Sequence, residues 1–353
     1  GEWNKYTIND LATVVGGGTP DTTVKSYWGG DIQWFTPSEI GKNKYVDFSK
    51  RTITRDGLDN SSAKLLPLHT ILLSSRATVG ECSIASNECT TNQGFQSLIA
   101  KQCNIDFLYY LIQTKKKDLI RNACGSTFLE ISANEIRKIK VAVPVQNEQE
   151  QIAKLLSLID ERIATQNKII EKLQSLIKGL AAQLTQSGTP NIRLCDCLEC
   201  HSSTLQENCV SVTGSYPVYG ATGLIGYTNN YAYNGESILI VKDGSGVGSL
   251  SYVNDHFSVI GTLNYLTAKE NYSILYLYYA LMAFNFTPYI TGMAIPHIYF
   301  KDYGKAKLFY PSIEKRIRIA SLLHNIEQKL VVEQNLVISL SAQKSYLLRM
   351  LFI

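Results

Sequence analysis

From residue 152 onward the apolar positions run Ile152, Leu156, Ile159 and Ile163, pass through the polar Gln166, and continue as Ile170, Leu173, Ile177, Leu180 and Leu184. Alternating steps of four and three put these side chains on one seam of a helix, the a and d positions of a coiled coil. A second stretch repeats the spacing through Ile319, Leu323, Ile326, Leu330, Glu333, Val337, Leu340, Lys344, Leu347 and Leu351. Gln166 and Glu333 occupy matching places in the two seams. Each helix is expected to span about 40 residues, or about 60 Å. A seam of that length is exposed on a lone helix, so the two are expected to pack on each other. They can run antiparallel because a whole globular segment separates them, and pairing between chains is the alternative. Asn147, with Glu150 three residues on, reads as the N-cap and capping box of the first helix just after Pro144. Ser312 after Pro311 takes that part in the second.

The matching positions keep one constant offset: Pro144 and Pro311, Ile152-Ala153 and Ile319-Ala320, Leu155-Leu156 and Leu322-Leu323, Ile159 and Ile326. A period this much longer than a solenoid repeat marks a duplicated domain. Outside the helices the match is weaker but ordered. Ile71-Leu72-Leu73 followed by Val79-Gly80 parallels Ile238-Leu239-Ile240 followed by Val247-Gly248, and Leu108-Tyr109-Tyr110 parallels Leu277-Tyr278-Tyr279. Gly125 parallels Gly292, and Lys140 to Pro144 parallels Lys307 to Pro311. The expected segments are a globular unit at 1–146, a helix at 147–187, a second unit at 188–312 and a second helix at 313–353. Each unit reads as short strands (70–74, 237–241) and turns around one or two helices (107–113, 274–282). The expected class is α+β: two mixed α/β domains separated by two long antiparallel coiled-coil helices, with a pseudo-twofold internal repeat.

Composition narrows this picture. A hydrophobic content of 45% and a charged content of 18% are those of a globular protein. No uncharged apolar run approaches the ~18 residues of a membrane span, and the start lacks the pattern of a secretory signal, so the expected compartment is the cytoplasm. Eight irregularly spaced cysteines then read as reduced thiols. Cys195, Cys197, Cys200 and His201 form one tight cluster, with Cys209 the nearest further ligand, whereas a structural zinc site uses two spaced pairs. Packing as small hydrophobes is the simpler reading. The first globular segment holds 17 basic and 14 acidic residues and the second 6 and 8, so neither is a basic block built for nonspecific phosphate binding. Neither glycine-rich run, Gly16-Gly17-Gly18-Thr19-Pro20 or Lys242-Asp243-Gly244-Ser245-Gly246, fits a phosphate-binding motif, so the glycines read as turn formers. The five histidines are scattered and no nucleophile, zinc-protease or adenine-methyltransferase motif is present. Fifteen of the 21 tyrosines fall between residues 191 and 312, suiting contacts to phosphates or base edges, although cores and protein interfaces use tyrosine as often.

Gly17-Gly18-Thr19-Pro20, the run Tyr27 to Trp34, Pro144 through Glu148-Gln149 to Ile152-Ala153, and Pro217 to Gly223 together resemble the specificity subunit of type I restriction-modification enzymes. The resemblance covers the full chain. It implies a non-catalytic subunit that binds an asymmetric, bipartite double-stranded DNA target, one half read by each target-recognition domain, with the helices fixing the gap. It also implies docking of two methyltransferase subunits, which use S-adenosylmethionine to methylate an adenine amino group, and of restriction/translocase subunits driven by ATP and Mg. This chain is expected to bind no cofactor of its own. One departure stands out: Glu148-Gln149 becomes Lys315-Arg316 in the second copy, so Lys315, Arg316 and Arg318 are candidates for DNA phosphate, a solvated helix end being the plainer reading.

Two readers about one helical turn apart, ~34 Å, can face the same side of a duplex. Base-reading candidates lie in the loops, where the copies differ most. In the first unit they are Lys25, Tyr27, Arg76, Asn92, Gln93 and Thr127, with Lys116 in the Lys115-Lys116-Lys117 run as a phosphate contact. In the second they are Tyr216, Tyr219, Thr222, Lys242, Ser245 and Met293. The rival readings are a coiled-coil scaffold with protein-binding globular heads and a nuclease, for which no clustered carboxylates are found by spacing.

Overall fold

The computed structural model describes residues 2–125 and 129–352. The chain forms two compact units, one made of residues 1–166 with 336–353 and the other of 167–335. Two long helices, Gln146–Thr185 and Ile313–Leu351, are each shared between the units.

In the first unit a five-stranded mixed sheet has the order Ala12–Gly16, Gln96–Ala100, Ile71–Leu73, Cys82–Ala85, Tyr45–Val46. A second sheet places Trp28–Phe35 between Arg51–Ile53 and Cys89–Thr91. The second unit has one six-stranded sheet in the order Leu198–Ser202, Leu263–Ala268, Tyr233–Val241, Leu250–Val259, Tyr216–Gly220, Gly223–Thr228. Its central strands read as unbroken apolar runs, such as Ile238 to Val241, because both faces are covered.

The duplication is visible in individual bonds. A short helix at Ile8–Leu11 starts with Ile8 N–H donating to Ile139 O, and its counterpart Leu194–Cys197 with Leu194 N–H donating to Ala306 O, both at 3.0 Å. Lys101 Nζ reaches Asn9 O at 2.6 Å, and Lys269 Nζ reaches Cys195 O at 2.9 Å. The apolar helices Ile105–Thr114 and Ile274–Met282 are capped alike, by Asn104 Oδ1 and Ser273 Oγ. The first unit is the longer between its short helix and the strand Ile71–Leu73, where the Trp28–Phe35 and Arg51–Ile53 strands are added.

The helices supply part of each core. In the first unit Ile152, Ala153 and Leu156 are buried with Phe107, Leu108 and Tyr110, and Leu347, Leu348, Leu351 and Phe352 pack against the same cluster. In the second, Ala181, Ile319, Ala320 and Leu323 are buried with Tyr276, Leu277 and Tyr279, flanked by Leu180 and Leu184. The start of one helix thus lies with the end of the other, so the two run antiparallel. The seam positions of both helices are buried or half-buried along their whole length, Ile163, Ile170, Leu173, Ile326, Leu330, Val337 and Leu340 among the half-buried. Gln166 and Glu333 are both buried; Glu333 pairs with Lys329, whereas Gln166 Oε1 has no hydrogen-bond partner among the described residues.

A tyrosine–carboxylate clamp joins each apolar helix to a long one. Tyr110 donates to Asp160 Oδ2 at 2.6 Å, and Tyr279 and Tyr278 donate to the two oxygens of Glu327 at 2.7 and 2.9 Å. Burial, reinforced by these carboxylates, pushes the three hydroxyls well above the ordinary tyrosine range, so they stay protonated donors. In the first unit Lys344 of the second helix completes the clamp, 2.6 Å from Asp160 Oδ1.

The capping expectation is corrected at the first helix. Helix bonds begin at Val145, whose carbonyl accepts from the Glu148 and Gln149 amides, so Asn147 lies inside the first turn and Glu150 instead accepts from Gln146 Nε2 at 3.1 Å. The buried Gln149 is what fixes this start: Nε2 donates to Pro144 O at 2.9 Å and Oε1 accepts the Asn104 amide at 3.0 Å. In the second copy Arg316 does the equivalent work, donating from Nη1 to Pro311 O at 2.8 Å with its guanidinium 4.1 Å from the Tyr310 ring.

Asp160 and Lys344 expose only 19% and 20% of their side chains. Asp160→Ala, which strands Lys344 and leaves the Tyr110 hydroxyl only Ser157 Oγ at 3.4 Å, is therefore expected to destabilise the protein by about 2 kcal/mol or more in chemical denaturation. A loss below about 0.5 kcal/mol would mean that water screens the pair.

Candidate nucleic-acid interface

The strand Ile71–Leu73 runs into a loop whose tip is Arg76. Ala77 there has φ 62°, the left-handed region that residues other than glycine seldom adopt. Two backbone hydrogen bonds hold this loop to a second segment, Ala77 N–H to Leu129 O (3.1 Å) and Ile131 N–H to Ser75 O (2.9 Å), and a reciprocal pair between Cys124 and Glu130 (both 2.9 Å) ties that segment to itself. The Arg76 and Glu130 side chains meet at 3.6 Å, each about half exposed.

The second unit repeats all four bonds at the offset that relates the two helices. Gly244 N–H donates to Pro296 O (2.9 Å), Ile298 N–H to Lys242 O (2.9 Å), and Thr291 and His297 exchange a reciprocal pair (2.9 and 2.8 Å). Gly244, at φ 96°, stands where Ala77 does; a Cβ there would meet open space, so the glycine serves the backbone angle and not the packing. The tip of the partner segment is apolar and exposed: Met293 fully, Ile295 at 65%.

Among the sequence candidates, these paired loops gather Arg76 in the first unit and Lys242, Ser245 and Met293 in the second. Thr127 lies outside the described residues. Asn92 and Gln93 adjoin the Arg76 loop, because Ser75 N–H donates to Gly94 O at 2.9 Å and Asn92 Oδ1 accepts the Gly94 amide at 2.8 Å. Gln93 accepts from the Thr19 hydroxyl. Lys116 sits against Gly80 at the foot of the same loop and pairs with Glu81. Lys25 and Tyr27 stand elsewhere, in a short turn beside Trp28, with Tyr27 O accepting the Thr54 amide. Tyr216, Tyr219 and Thr222 belong to a hairpin; Tyr216 packs on Tyr231 and His256, Tyr219 on Phe257, and Thr222 is exposed at the turn. Four of the other second-unit tyrosines, Tyr276, Tyr278, Tyr279 and Tyr303, are core residues.

Lys315 donates to Ser187 and Arg318 pairs with Glu314, both at the exposed surface, and the half-buried Arg316 donates to Pro311. Arg316 secures the helix start, whereas Lys315 and Arg318 stay exposed at the surface. Sequence reasoning missed Glu130 and His297, the pivots of the paired loops. Carrying the constant offset through positions that share no identity would have found them. It also missed Arg51, whose guanidinium lies 3.6 Å from the Trp28 ring centroid, a stacking visible only once the two strands pair.

Gly17 and Gly18 are not turn glycines. A Cβ on Gly17 would overlap the carbonyl oxygens of Thr91 and Asn92, and one on Gly18 the backbone of Ser62 and Ala63, so these residues permit close backbone approach. In the cysteine cluster Cys197 is buried, Cys200 accepts from Asn264 Nδ2, and His201 bonds Thr267 and stacks on Tyr265 at 4.7 Å. Among the described residues no three His, Cys, Asp or Glu side chains gather closely enough to hold a metal ion, and no helix is long and apolar enough to cross a membrane.

The family model for the type I restriction modification DNA specificity domain matches residues 1–175 and 192–340, and the chain belongs to that family. It is 39% identical to the MjaIX specificity subunit of Methanocaldococcus jannaschii over 49% of this chain, a match that spans 42% of that relative's length. It is 25% identical to the EcoprrI specificity subunit of Escherichia coli over 92% of this chain and 87% of that one. The fold is shared with the crystal structure of a type I restriction-modification S subunit from M. genitalium, at a TM-score of 0.68 and 19% identity over 100% of this chain and 96% of the other.

Gly17→Ala should push the Thr91–Asn92 backbone away and destabilise the protein by about 1–3 kcal/mol, read as a lower denaturation midpoint. Burial raises the thiols of Cys82, Cys89, Cys103 and Cys197 to about 12, whereas Cys124 and Cys209 are exposed. A maleimide at pH 7 should therefore label Cys124 and Cys209 first by peptide mapping and spare the four buried thiols until unfolding.

Proposed function

We propose that this chain is the DNA-specificity subunit of a type I restriction-modification system, in which each globular unit reads one half of an asymmetric bipartite target. The observation that carries the reading is the repeated loop platform: the same four main-chain bonds recur in the two units beneath different side chains. A duplicated scaffold with diverged tips suits two different half-sites. In this reading 1–146 and 188–312 are the target-recognition domains, and the helices 147–187 and 313–353 set the spacer and carry the partners.

The subunit itself performs no chemistry here. Two methyltransferase subunits would dock on the helices and use S-adenosylmethionine to methylate adenine N6, and restriction/translocase subunits would use ATP and Mg, all in the cytoplasm. Leu155 and Leu322 support two equivalent docking faces, since they hold matching positions of the two helices and stay exposed, at 44% and 47%. The docking faces would differ in detail, because Gln149 and Arg316 hold the two helix starts by different chemistry.

Co-expression with the cognate methyltransferase in a host lacking adenine methylation, followed by genome-wide mapping of N6-methyladenine, tests this. A split motif with a constant gap is expected. Absence of any new methylation, with both proteins present and associated, would refute it.

A further inference from the structure

The paired loops keep the same four main-chain bonds and, among the described residues, carry different side chains in the two units. Resting on the specificity reading above, we infer that they are the base-reading element of each unit: Arg76 and Glu130 together read a G·C pair in one half-site, and the Met293–Ile295 tip reads a thymine methyl in the other.

The first half of the inference rests on how Arg76 and Glu130 stand. They are 3.6 Å apart, each about half exposed, on two segments stapled together by main-chain bonds. An ion pair so open to water adds little to stability. Its chemistry, however, matches one base pair in the major groove: guanine offers acceptors at O6 and N7, and the paired cytosine offers a donor at N4. A guanidinium and a carboxylate side by side supply the complementary donor and acceptor. The guanidinium also offsets the repulsion between Glu130 and the phosphates, which would oppose the approach of a lone carboxylate. Ala77 in the left-handed region holds Arg76 at the tip, the kind of backbone strain that clusters at working sites.

In the second unit Asp243 and His297 take the places of Arg76 and Glu130, and both are half-buried. The projecting groups are instead Met293 and Ile295, at 106% and 65% exposure. They are not on a loose end: the segment is fixed on both sides by the Thr291–His297 pair and by Gly244 N–H to Pro296 O. Exposed apolar side chains on a segment whose backbone is bonded to Lys242 and Gly244 fit the C5-methyl of thymine, the one apolar group that a base presents in the major groove.

The test uses the full subunit co-expressed with its methyltransferase, with N6-methyladenine mapped for wild type and variants. Arg76→Ala and Glu130→Ala are each expected to relax the same G·C position in one half-site. Discrimination there should fall roughly five- to hundredfold, with the other half-site and the gap unchanged. Met293→Ala combined with Ile295→Ala should relax an A·T position in the opposite half-site only. All positions are exposed, so thermal unfolding should match wild type and separates loss of reading from loss of fold. Variants that methylate the unchanged motif would overturn the inference while leaving the specificity reading intact. So would Arg76→Ala that lowers methylation evenly with no position relaxed, the behaviour of a phosphate contact. A wild-type chain that yields no split motif would instead sink the specificity reading itself.

Discussion

A helix as long as Gln146–Thr185, with an apolar stripe along its length, cannot stand in water unless the stripe is covered, and this requirement organises the whole chain. Each long helix is covered by the other and by a globular core, the start of the first at Ile152 to Leu156 and the start of the second at Ile319 to Leu323. The apolar helices Ile105–Thr114 and Ile274–Met282 are the matching lids, and the tyrosine–carboxylate clamps fix how they meet the long helices. Buried hydroxyl-to-carboxylate bonds are directional where leucine contacts are not, so they hold each long helix at one rotation about its axis.

Much of this was legible in the residues. The alternating four-three spacing gave both helices and their seams, because a coiled coil imposes a strict periodicity on many positions at once. The constant offset between the copies gave the duplication. The strand runs at 71–73 and 238–241 were legible for a similar reason: they are apolar without interruption and bounded by glycine. What the pattern missed were single-residue choices made by tertiary contacts. Asn147 has the composition of a cap, but Gln149 reaches both Pro144 and Asn104, and that buried pair of bonds sets the helix start earlier in the chain. Likewise Gly17 looked like a turn residue because glycine is common in turns, whereas here the close passage of another strand requires it.

The candidate interface was less legible than the fold. Arg76, Lys242, Ser245 and Met293 read as candidates because they lie in loops where the two copies differ, and the structure gathers them on one recurring pair of loops. Lys25 and Tyr27 lie apart from it. Glu130 and His297 could not be found from residue type, since they share nothing but a position. A duplicated backbone is conserved through hydrogen bonds between main-chain groups, and such bonds are indifferent to the side chains they carry. Identity therefore decays at the loops while geometry persists.

Sharing the helices between cores has a consequence for the order in which the molecule is made. The second unit is one continuous stretch, 167–335. The first is not: the Trp3 ring lies 6.2 Å from that of Phe352, and Lys344 pairs with Asp160. On a ribosome, where segments fold as they emerge, the unit begun first is the one completed last, and its core stays open until the closing helix arrives.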